Sequence, residues 1–313
     1  METKDTVCAV VVTFNRKDLL IECLESLENQ TQKVDTILIV DNFSNDGTNN
    51  LLLEKKYIDI LPPENISEPF TIETKKENQV IKYIKMNENS GGAGGFHMGI
   101  KTALEEEFDW VWLMDDDVEV DKNALSELLT YKELSKCIQP SRSILKNGIF
   151  YWDGYLDVET MHRVALFDSN FQGSKEYTYT NLGCFEGMLL HKDIIEKVGY
   201  PDKRFFIGYD DTMYGLKISR HTNILLTKKV LMNKKIDKKR YSSFSAYYFI
   251  RNLFLVKKIL DEDYPKQKKK RNIFFKIELL LVLKSTFRDL KLFDAIKITK
   301  RAIADARNNR YFK

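Results

Sequence analysis

The stretch that most constrains the fold is residues 110–117, a short apolar run that ends in three aspartates. Residues 110–114 are all apolar, and Asp115, Asp116 and Asp117 follow directly. Such a run, bounded by charges, predicts a strand buried inside a parallel sheet. Three adjacent carboxylates repel one another, and a divalent cation such as Mg²⁺ or Mn²⁺ prefers oxygen ligands of this kind. The alternative is a solvated acidic turn.

Two earlier segments have the form of buried strands that end in polar loops. Residues 7–12 and 36–40 are apolar runs, and the residues between them have the apolar spacing of one helix face. This βαβ pattern predicts an α/β fold with a mostly parallel sheet and right-handed crossovers. Ligands bind at the carboxyl ends of the strands in such sheets, which is where the polar loops and the acidic triplet fall.

A glycine-rich segment follows the third predicted strand, residues 80–85. Residues 89–96 contain four glycines, and a helix is predicted from about His97 or Met98. Glycine lets the backbone approach a ligand closely, and a glycine-rich turn at a helix start suits phosphate. A dinucleotide-binding loop is disfavoured, because it follows the first strand and needs a lone acid about 20 positions on. A Walker A loop is excluded because no Gly-Lys-Ser/Thr ends the run.

A second acidic pair, Asp210 and Asp211, follows the mostly aromatic run 205–209 and precedes a helical pattern. Paired carboxylates suit a general base, because one acid tunes or positions the other, which takes the proton. Aspartate also caps helices, and Asp210 could cap while Asp211 acts.

Trp152 and Tyr209 are the aromatic candidates for contact with an acceptor, although most such side chains pack in cores. Residues 183–190 predict a further strand.

The end of the chain is basic, whereas the body is acidic. Residues 251–313 contain 18 Lys and Arg against 7 Asp and Glu, although the whole chain has a net charge of only +3. A change of character at Tyr241 predicts a catalytic domain over 1–240 and a basic, helical extension over 241–313. A basic region indicates an anionic partner, membrane or nucleic acid. Its segment 266–300 suits a membrane interface. Packing on the catalytic domain or on a second subunit, and hence a homo-oligomer, stays open.

The compartment is predicted from the cysteines and from the polar start of the chain. Residues 1–5 resemble no signal peptide, and no run approaches the roughly 18 apolar residues of a membrane span. The four scattered cysteines form no CxxC pair, so reduced thiols in a cytosolic protein are expected.

These motifs together resemble the GT-A glycosyltransferases of family 2 over residues 7 to about 252. The loop 13–16 is similar to the opening motif of that family, 40–48 to its nucleotide-binding loop and 115–117 to its metal-binding DXD motif. Asp210 and Asp211 match its acidic catalytic pair. Tyr247, Tyr248, Arg251 and Asn252 resemble a helix that follows the catalytic domain in many bacterial members.

Within the family, residues 89–96 combined with 114–117 look most like galactofuranosyltransferases, and then like rhamnosyltransferases that use dTDP-rhamnose. Galactofuranosyltransferases usually place a histidine metal ligand after a strand beyond the acidic pair. Residues 230–233 contain no histidine, so the third protein ligand of the metal is not identified by sequence.

The resemblance implies an inverting transfer in one displacement, in which Asp211, beside Asp210, takes the proton of the acceptor hydroxyl. It implies that Asp115 and Asp117 hold Mg²⁺ or Mn²⁺ on the diphosphate of a UDP-sugar. The residues implied to bind the nucleotide sugar are Thr13, Asn15, Arg16, Asp41, Asn42, Asn89, Gly91, Gly92, Gly94, Gly95, Asp115 and Asp116.

The implied acceptor is a saccharide or a lipid-linked sugar in cell-surface polysaccharide synthesis. This acceptor favours a peripheral position on the inner face of the bacterial cell membrane, with contact through 266–300 and no nucleic-acid partner. Two other functions remain open. A nucleotidyltransferase would need an early glycine- and lysine-rich loop, which residues 13–16 lack, and a non-catalytic scaffold would be marked by loss of the base, whereas Asp211 is present.

Overall fold

A computed structural model of the chain describes residues 5–146, 148–149, 153–166, 171, 175–237 and 240–311. The first half begins with the predicted βαβ unit and continues with a short helix, a β-hairpin, a long helix and a strand. Its elements are β1 (Val7–Thr13), α1 (Lys17–Glu28), β2 (Thr36–Asp41), α2 (Thr48–Glu54), β3 (Phe70–Lys76), β4 (Gln79–Lys85), α3 (Gly91–Glu105) and β5 (Trp110–Asp115).

The second half is richer in short strands and ends in long helices. Its strands are β6 (Val118–Val120), β7 (Cys137–Ile144), β8 (Gly148–Ile149), β9 (Gly154–Asp157), β10 (His162–Ala165), β11 (Tyr177–Thr180), β12 (Leu189–His191) and β13 (Ile224–Lys234). Its helices are α4 (Ala124–Leu129), α5 (Lys192–Val198), α6 (Asp210–Ile218), α7 (Ser243–Asp263), α8 (Lys268–Asp289) and α9 (Leu292–Arg307).

The central sheet has the strand order β11-β13-β7-β12-β5-β1-β2-β4-β3, and β6 and β8 pair at its side. Strands β4, β2, β1 and β5 are parallel, as predicted. The sheet as a whole is mixed, because β12 runs antiparallel between β5 and β7, and β3 and β11 are antiparallel edge strands. The sheet is therefore parallel across β4, β2, β1 and β5, and it is parallel again between β7 and β13.

Helices cover both faces of this sheet, and alternate residues of β1 serve the two sides. Val7, Ala9 and Val11 pack with the apolar face of α1. The alternate residues, Cys8, Val10 and Val12, pack with the apolar face of α3. A strand buried on both faces needs a continuous apolar sequence. This requirement explains why the sequence predicts β1, β2 and β5 as buried strands.

The register of the parallel strands brings their polar ends together. Thr13 at the end of β1 pairs with Asp41 at the end of β2, and Val12 pairs with Asp115 at the end of β5. The loop after β1, the loop after β2 and the acidic triplet therefore share one edge of the sheet, as the sequence predicts.

Two predicted boundaries are wrong. Helix α3 begins at Gly91, not near His97, because the glycines form its first turns and bring it close to β1. A Cβ atom on Gly95 would lie 2.5 Å from Cγ1 of Val12. The strand predicted over 183–190 is limited to Leu189–His191, since Gly187 has a φ of +100° and the residues before it form a loop.

The C-terminal helices pack against the α/β part. Leu255 and Val256 of α7 share a core cluster with Phe205 and Met213. In the described part of the chain, no helix has the length and apolar character to cross a membrane. The predicted boundary at 240/241 stays a prediction.

Candidate active site

The three aspartates after β5 have different partners, and Asp116 binds the loop after β1. Its Oδ2 accepts hydrogen bonds from Thr13 Oγ1 at 2.8 Å and from the backbone N–H of Phe14 at 3.4 Å. Its Oδ1 accepts from Arg16 Nη1 at 2.9 Å. Arg16 also pairs with Asp117 Oδ2 at 3.1 Å. In this conformation Asp116 joins β5 to β1, and its direct contact with a nucleotide stays a prediction.

Asp115 and Asp117 converge with Glu186, a residue of the loop before β12. Each of the three offers a carboxylate oxygen, and these atoms lie within 4.8 Å of one another. Burial raises the pKa of Asp115 well above its usual range, Lys234 lowers it, and Asp117 and Glu186 raise it further. Such a raised pKa is typical of carboxylates that share a low-dielectric site.

This group of carboxylates fits a divalent cation of the Mg²⁺ or Mn²⁺ type. Glu186 is 93% buried (7% exposed), yet its Oε2 has no hydrogen-bond partner within the described residues. A buried carboxylate oxygen without a partner is costly, and coordination would satisfy it. All-oxygen ligand sets are those that Mg²⁺ and Mn²⁺ prefer.

The ammonium group of Lys234, at the end of β13, contacts these carboxylates in the structure. Its Nζ pairs with Glu186 Oε1 and lies 3.3 Å from Asp117 Oδ1. Burial alone would lower the pKa of Lys234, but Glu186, Asp115 and Asp117 raise it above its usual value. The side chain is therefore a charged ammonium ion.

The loop after β2 is held by buried polar contacts. Asp41 is fully buried: its Oδ2 accepts from Tyr83 Oη at 2.7 Å and from Lys85 Nζ at 2.9 Å, and its Oδ1 accepts from the Ser44 N–H. Both oxygens thus support the loop from within. The predicted contact of Asp41 with the nucleotide sugar stays a prediction.

Asparagines connect this loop to its two neighbours. Asn42 donates to the Gly91 carbonyl at 2.9 Å and to Asn89 Oδ1 at 3.2 Å, and its own Oδ1 accepts from Ser90. Asn15, whose φ is +53°, accepts from the backbone N–H of Asn45. The three predicted binding loops therefore form one hydrogen-bonded surface.

Close packing requires glycine at three of the four positions in the glycine-rich segment, and their approach to a ligand stays a prediction. A Cβ atom on Gly91, which has a φ of +71°, would lie 2.1 Å from the Phe206 carbonyl oxygen, and one on Gly94 would meet the Ser90 side chain at 2.2 Å. Gly91, Gly94 and Gly95 are buried against protein. Gly92 differs, because its nearest neighbour would be Asp210 Oδ2 at 4.0 Å. Of the four glycines, Gly92 is the one that leaves room beside the acidic pair.

Asp210 and Asp211 lie at the start of the predicted helix, in the first turn of α6, but the N-cap is Tyr209, so the capping role considered for Asp210 is wrong. Burial, and then the negative charge of Asp211, raise the pKa of Asp210. Burial also raises the pKa of Asp211, hydrogen bonds from Thr212 lower it, and Glu186 raises it again. Asp211 is therefore within electrostatic reach of the carboxylate group. A base with a raised pKa is suited to take a proton near neutral pH.

The loop in front of this pair is strained and is held by α7. Phe206 and Tyr209 have φ values of +62° and +68°. The amide of Asn252 donates to the carbonyls of Phe205 at 2.7 Å, Ile207 at 2.9 Å and Gly208 at 3.1 Å. A conformation that non-glycine residues disfavour persists only when its surroundings impose it.

The two predicted contacts with an acceptor both stay predictions. Trp152 lies outside the described residues. Tyr209 is half-buried and packs edge-on against Phe249 of α7, with ring centroids 5.7 Å apart. Its contact with an acceptor stays a prediction.

Glu186 and Lys234 were not predicted. Glu186 carries a usable signal, since it is a lone acid beside a glycine in an apolar run. Lys234 has no such signal, because it lies in a segment rich in lysine.

A comparison with protein-family models assigns the chain to a family. The model of glycosyl transferase family 2 matches residues 8–199, more than half of the chain. The chain belongs to glycosyl transferase family 2. This confirms the resemblance found in the sequence, and the acidic triplet after β5 of this family 2 chain lies inside the matched region.

Among curated relatives, the family 2 chain is 28% identical over 224 residues to galactofuranosyltransferase GlfT1 of Mycolicibacterium smegmatis. The match covers 67% of this chain and 64% of that relative, so the chain spans slightly less than two thirds of the relative's length.

Solved structures support the same fold. TarS 1-349 of S. aureus in complex with UDP-GlcNAc has a TM-score of 0.59 at 14% identity, covering 98% of this chain and 82% of that chain. GalNAc-T7 with UDP, GalNAc and Mn²⁺ has a TM-score of 0.60 at 14% identity, covering 90% and 57%. The family 2 chain therefore has the predicted GT-A fold, followed by C-terminal helices.

Proposed function

We propose that this chain transfers a sugar, with galactofuranose favoured, from a UDP-sugar to a saccharide or lipid-linked acceptor, with inversion at the anomeric carbon. The proposal rests on two acidic groups that lie near each other, close enough for Glu186 to raise the pKa of Asp211. One is the group Asp115, Asp117 and Glu186, and the other is the pair Asp210 and Asp211. The similarity to a galactofuranosyltransferase supports the choice of sugar.

In the proposed reaction, each group has a separate task. Asp211 accepts the proton of the attacking hydroxyl, and Asp210 stays beside it as a second acid that tunes it. Asp115, Asp117 and Glu186 would hold Mg²⁺ or Mn²⁺. When bound, such a cation supplies positive charge to the leaving diphosphate. The loops joined by Asn42 receive the nucleoside.

A donor panel tests this function. Hydrolysis or transfer is measured for UDP-galactofuranose, UDP-galactopyranose, UDP-glucose, UDP-N-acetylglucosamine and dTDP-rhamnose, each with Mn²⁺ and with EDTA. We expect turnover of UDP-galactofuranose that EDTA abolishes or strongly reduces. Selective turnover of dTDP-rhamnose would identify rhamnose, and not galactofuranose, as the transferred sugar. Failure to bind any donor would contradict the transferase function.

We also propose that the C-terminal extension contacts an anionic membrane surface, on the cytoplasmic side of the cell membrane. Helix α8 exposes an apolar stripe at helical spacing, Ile273, Ile277, Leu280 and Leu281, whose exposed fractions range from 51% to 66%. Helix α9 adds Phe293, which is 77% exposed. Exposed lysines flank this surface at positions 266, 268, 269, 270, 276, 284, 291, 297 and 300.

The combination of exposed apolar side chains and lysines favours lipid over water. An apolar helix face with lysines beside it binds at the boundary between headgroups and acyl chains. Each lysine near an anionic surface contributes about 1 kcal/mol to such binding. A lipid-linked acceptor would lie at the same surface.

A further inference from the structure

Lys234 places an ammonium ion among the carboxylates that would hold a divalent cation. The Lys234 side chain is 15% exposed, and its Nζ contacts Asp117 and Glu186. A largely buried ammonium ion needs oxygen partners, because desolvation without them is costly. Lys234 and a divalent cation would therefore use the same oxygen atoms.

The charges indicate what happens when a divalent cation enters. When all three are ionised, Asp115, Asp117 and Glu186 carry three negative charges against the one positive charge of Lys234. A cation of charge +2 would balance the group. It would also take the carboxylate oxygens to which Lys234 is now bound, so the ammonium ion would need new acceptors nearby.

The donor's diphosphate can provide these acceptors. Its oxygens would lie on the same cation, at the end of β5 and close to the end of β13. Lysine suits an exchange of partners, because it is a compact charge on a flexible stem that can donate in three directions. Arg16, another basic group at this edge, is engaged with Asp116 and Asp117.

We propose that Lys234 is a diphosphate-contacting residue of the transfer reaction, whose ammonium ion exchanges between the Asp117 and Glu186 carboxylates and the donor's diphosphate oxygens. This inference rests on the proposed function and deepens it. It has two consequences. Lys234 contributes to nucleotide binding even without a metal ion, and it competes with the metal ion when no nucleotide is bound.

Nucleotide binding in EDTA tests the first consequence. The dissociation constant of UDP is measured for the wild type, Lys234→Met, Lys234→Arg and Lys235→Met. Lys235 is the matched control, because the adjacent side chain pairs with Glu22 and Glu119 instead. We expect UDP to bind about 10–100-fold more weakly to Lys234→Met. Lys235→Met should bind like the wild type, and Lys234→Arg, which keeps the charge, should lie between them.

Titration with Mn²⁺ alone tests the second consequence. Without nucleotide, Lys234→Met should bind Mn²⁺ about ten-fold more tightly than the wild type or Lys235→Met, because the competing charge is removed. Equal UDP affinity of Lys234→Met and Lys235→Met in EDTA would overturn the inference, whatever the Mn²⁺ result. If Lys234→Met does not fold, the test uses Lys234→Arg instead. Affinities of Lys234→Arg for UDP and Mn²⁺ that equal those of the wild type would then contradict the inference. A wild type that binds no UDP would instead refute the proposed function.

Discussion

Asp115, Asp116 and Asp117 are adjacent in sequence, yet their side chains contact different residues. Asp116 binds Thr13 and Arg16, whereas Asp115 and Asp117 face Glu186. The sequence predicts the triplet as a site because a run of charges ends a buried strand. It does not separate the three roles, since these depend on loops that are distant in the chain.

The raised pKa of Asp211 predicts a pH dependence. The base acts only when ionised, so the rate should fall as the pH drops through the pKa of Asp211, which burial raises above its usual value. The acidic limb of kcat/KM is expected above the value of about 4 for an ordinary aspartate. The residual rate of Asp211→Asn should lack this limb. A wild-type limb at about pH 4 would contradict the assignment.

At the scale of elements, whether a strand or helix can be predicted from the sequence depends on how the segment is buried. Strands β1, β2 and β5 are recognisable because both of their faces are buried. The start of α3 is not, because local preference treats glycine as a turn residue, whereas packing on β1 requires glycine inside the helix. The loop 183–188 resembles a strand because Phe185 and Met188 are buried, but Gly187 turns the chain.

The close packing of α3 on β1 gives a stability prediction. Gly95→Ala should lower the free energy of unfolding by about 1–3 kcal/mol, because its Cβ would lie 2.5 Å from Val12 Cγ1. Gly92→Ala is the control, since its Cβ would have 4.0 Å to the nearest atom. Urea unfolding measures both. Equal stability of the two variants would show that the helix can move away from the strand without cost.

Helix α7 gives a prediction about the acidic pair. Asn252 is fully buried, and its loss would remove one hydrogen-bond donor from each of three loop carbonyls, of which the Phe205 carbonyl would keep the Arg251 side chain as a donor. Asn252→Ala should cost about 1–3 kcal/mol of stability. It should also lower kcat more than it weakens UDP binding, because the loop positions Asp210 and Asp211. Asn50→Ala, an exposed position on α2, is the control. A stability loss with unchanged kcat would limit Asn252 to a structural role.

At the scale of the whole molecule, the basic C-terminal extension also exposes an apolar stripe. The sequence predicts a basic extension, but the exposure of its apolar stripe depends on how α8 packs on α7. Buried Val282 and Thr286 mark the packed side of α8, and the stripe lies on the other side. The sequence alone therefore leaves membrane contact and subunit contact open.

Vesicle flotation tests the proposed membrane contact. The wild type should float with vesicles of phosphatidylglycerol and much less with vesicles of phosphatidylcholine, and salt should release it. Replacing Leu280 and Phe293 by serine should reduce binding at least several-fold, whereas Leu61→Ser, an exposed apolar position in the α/β part, should not. Absence of flotation together with a dimer that these replacements dissociate would assign the surface to a second copy of the chain.

The central claim is that Asp211 is the base of a sugar transfer at this edge of the sheet. Its most direct test compares UDP binding and transfer from UDP-galactofuranose in the wild type, Asp211→Asn and the exposed control Asp59→Asn. We predict that Asp211→Asn binds UDP normally but transfers sugar about 10²–10⁴-fold more slowly, while Asp59→Asn is unaffected. Transfer by Asp211→Asn at the wild-type rate would contradict the account.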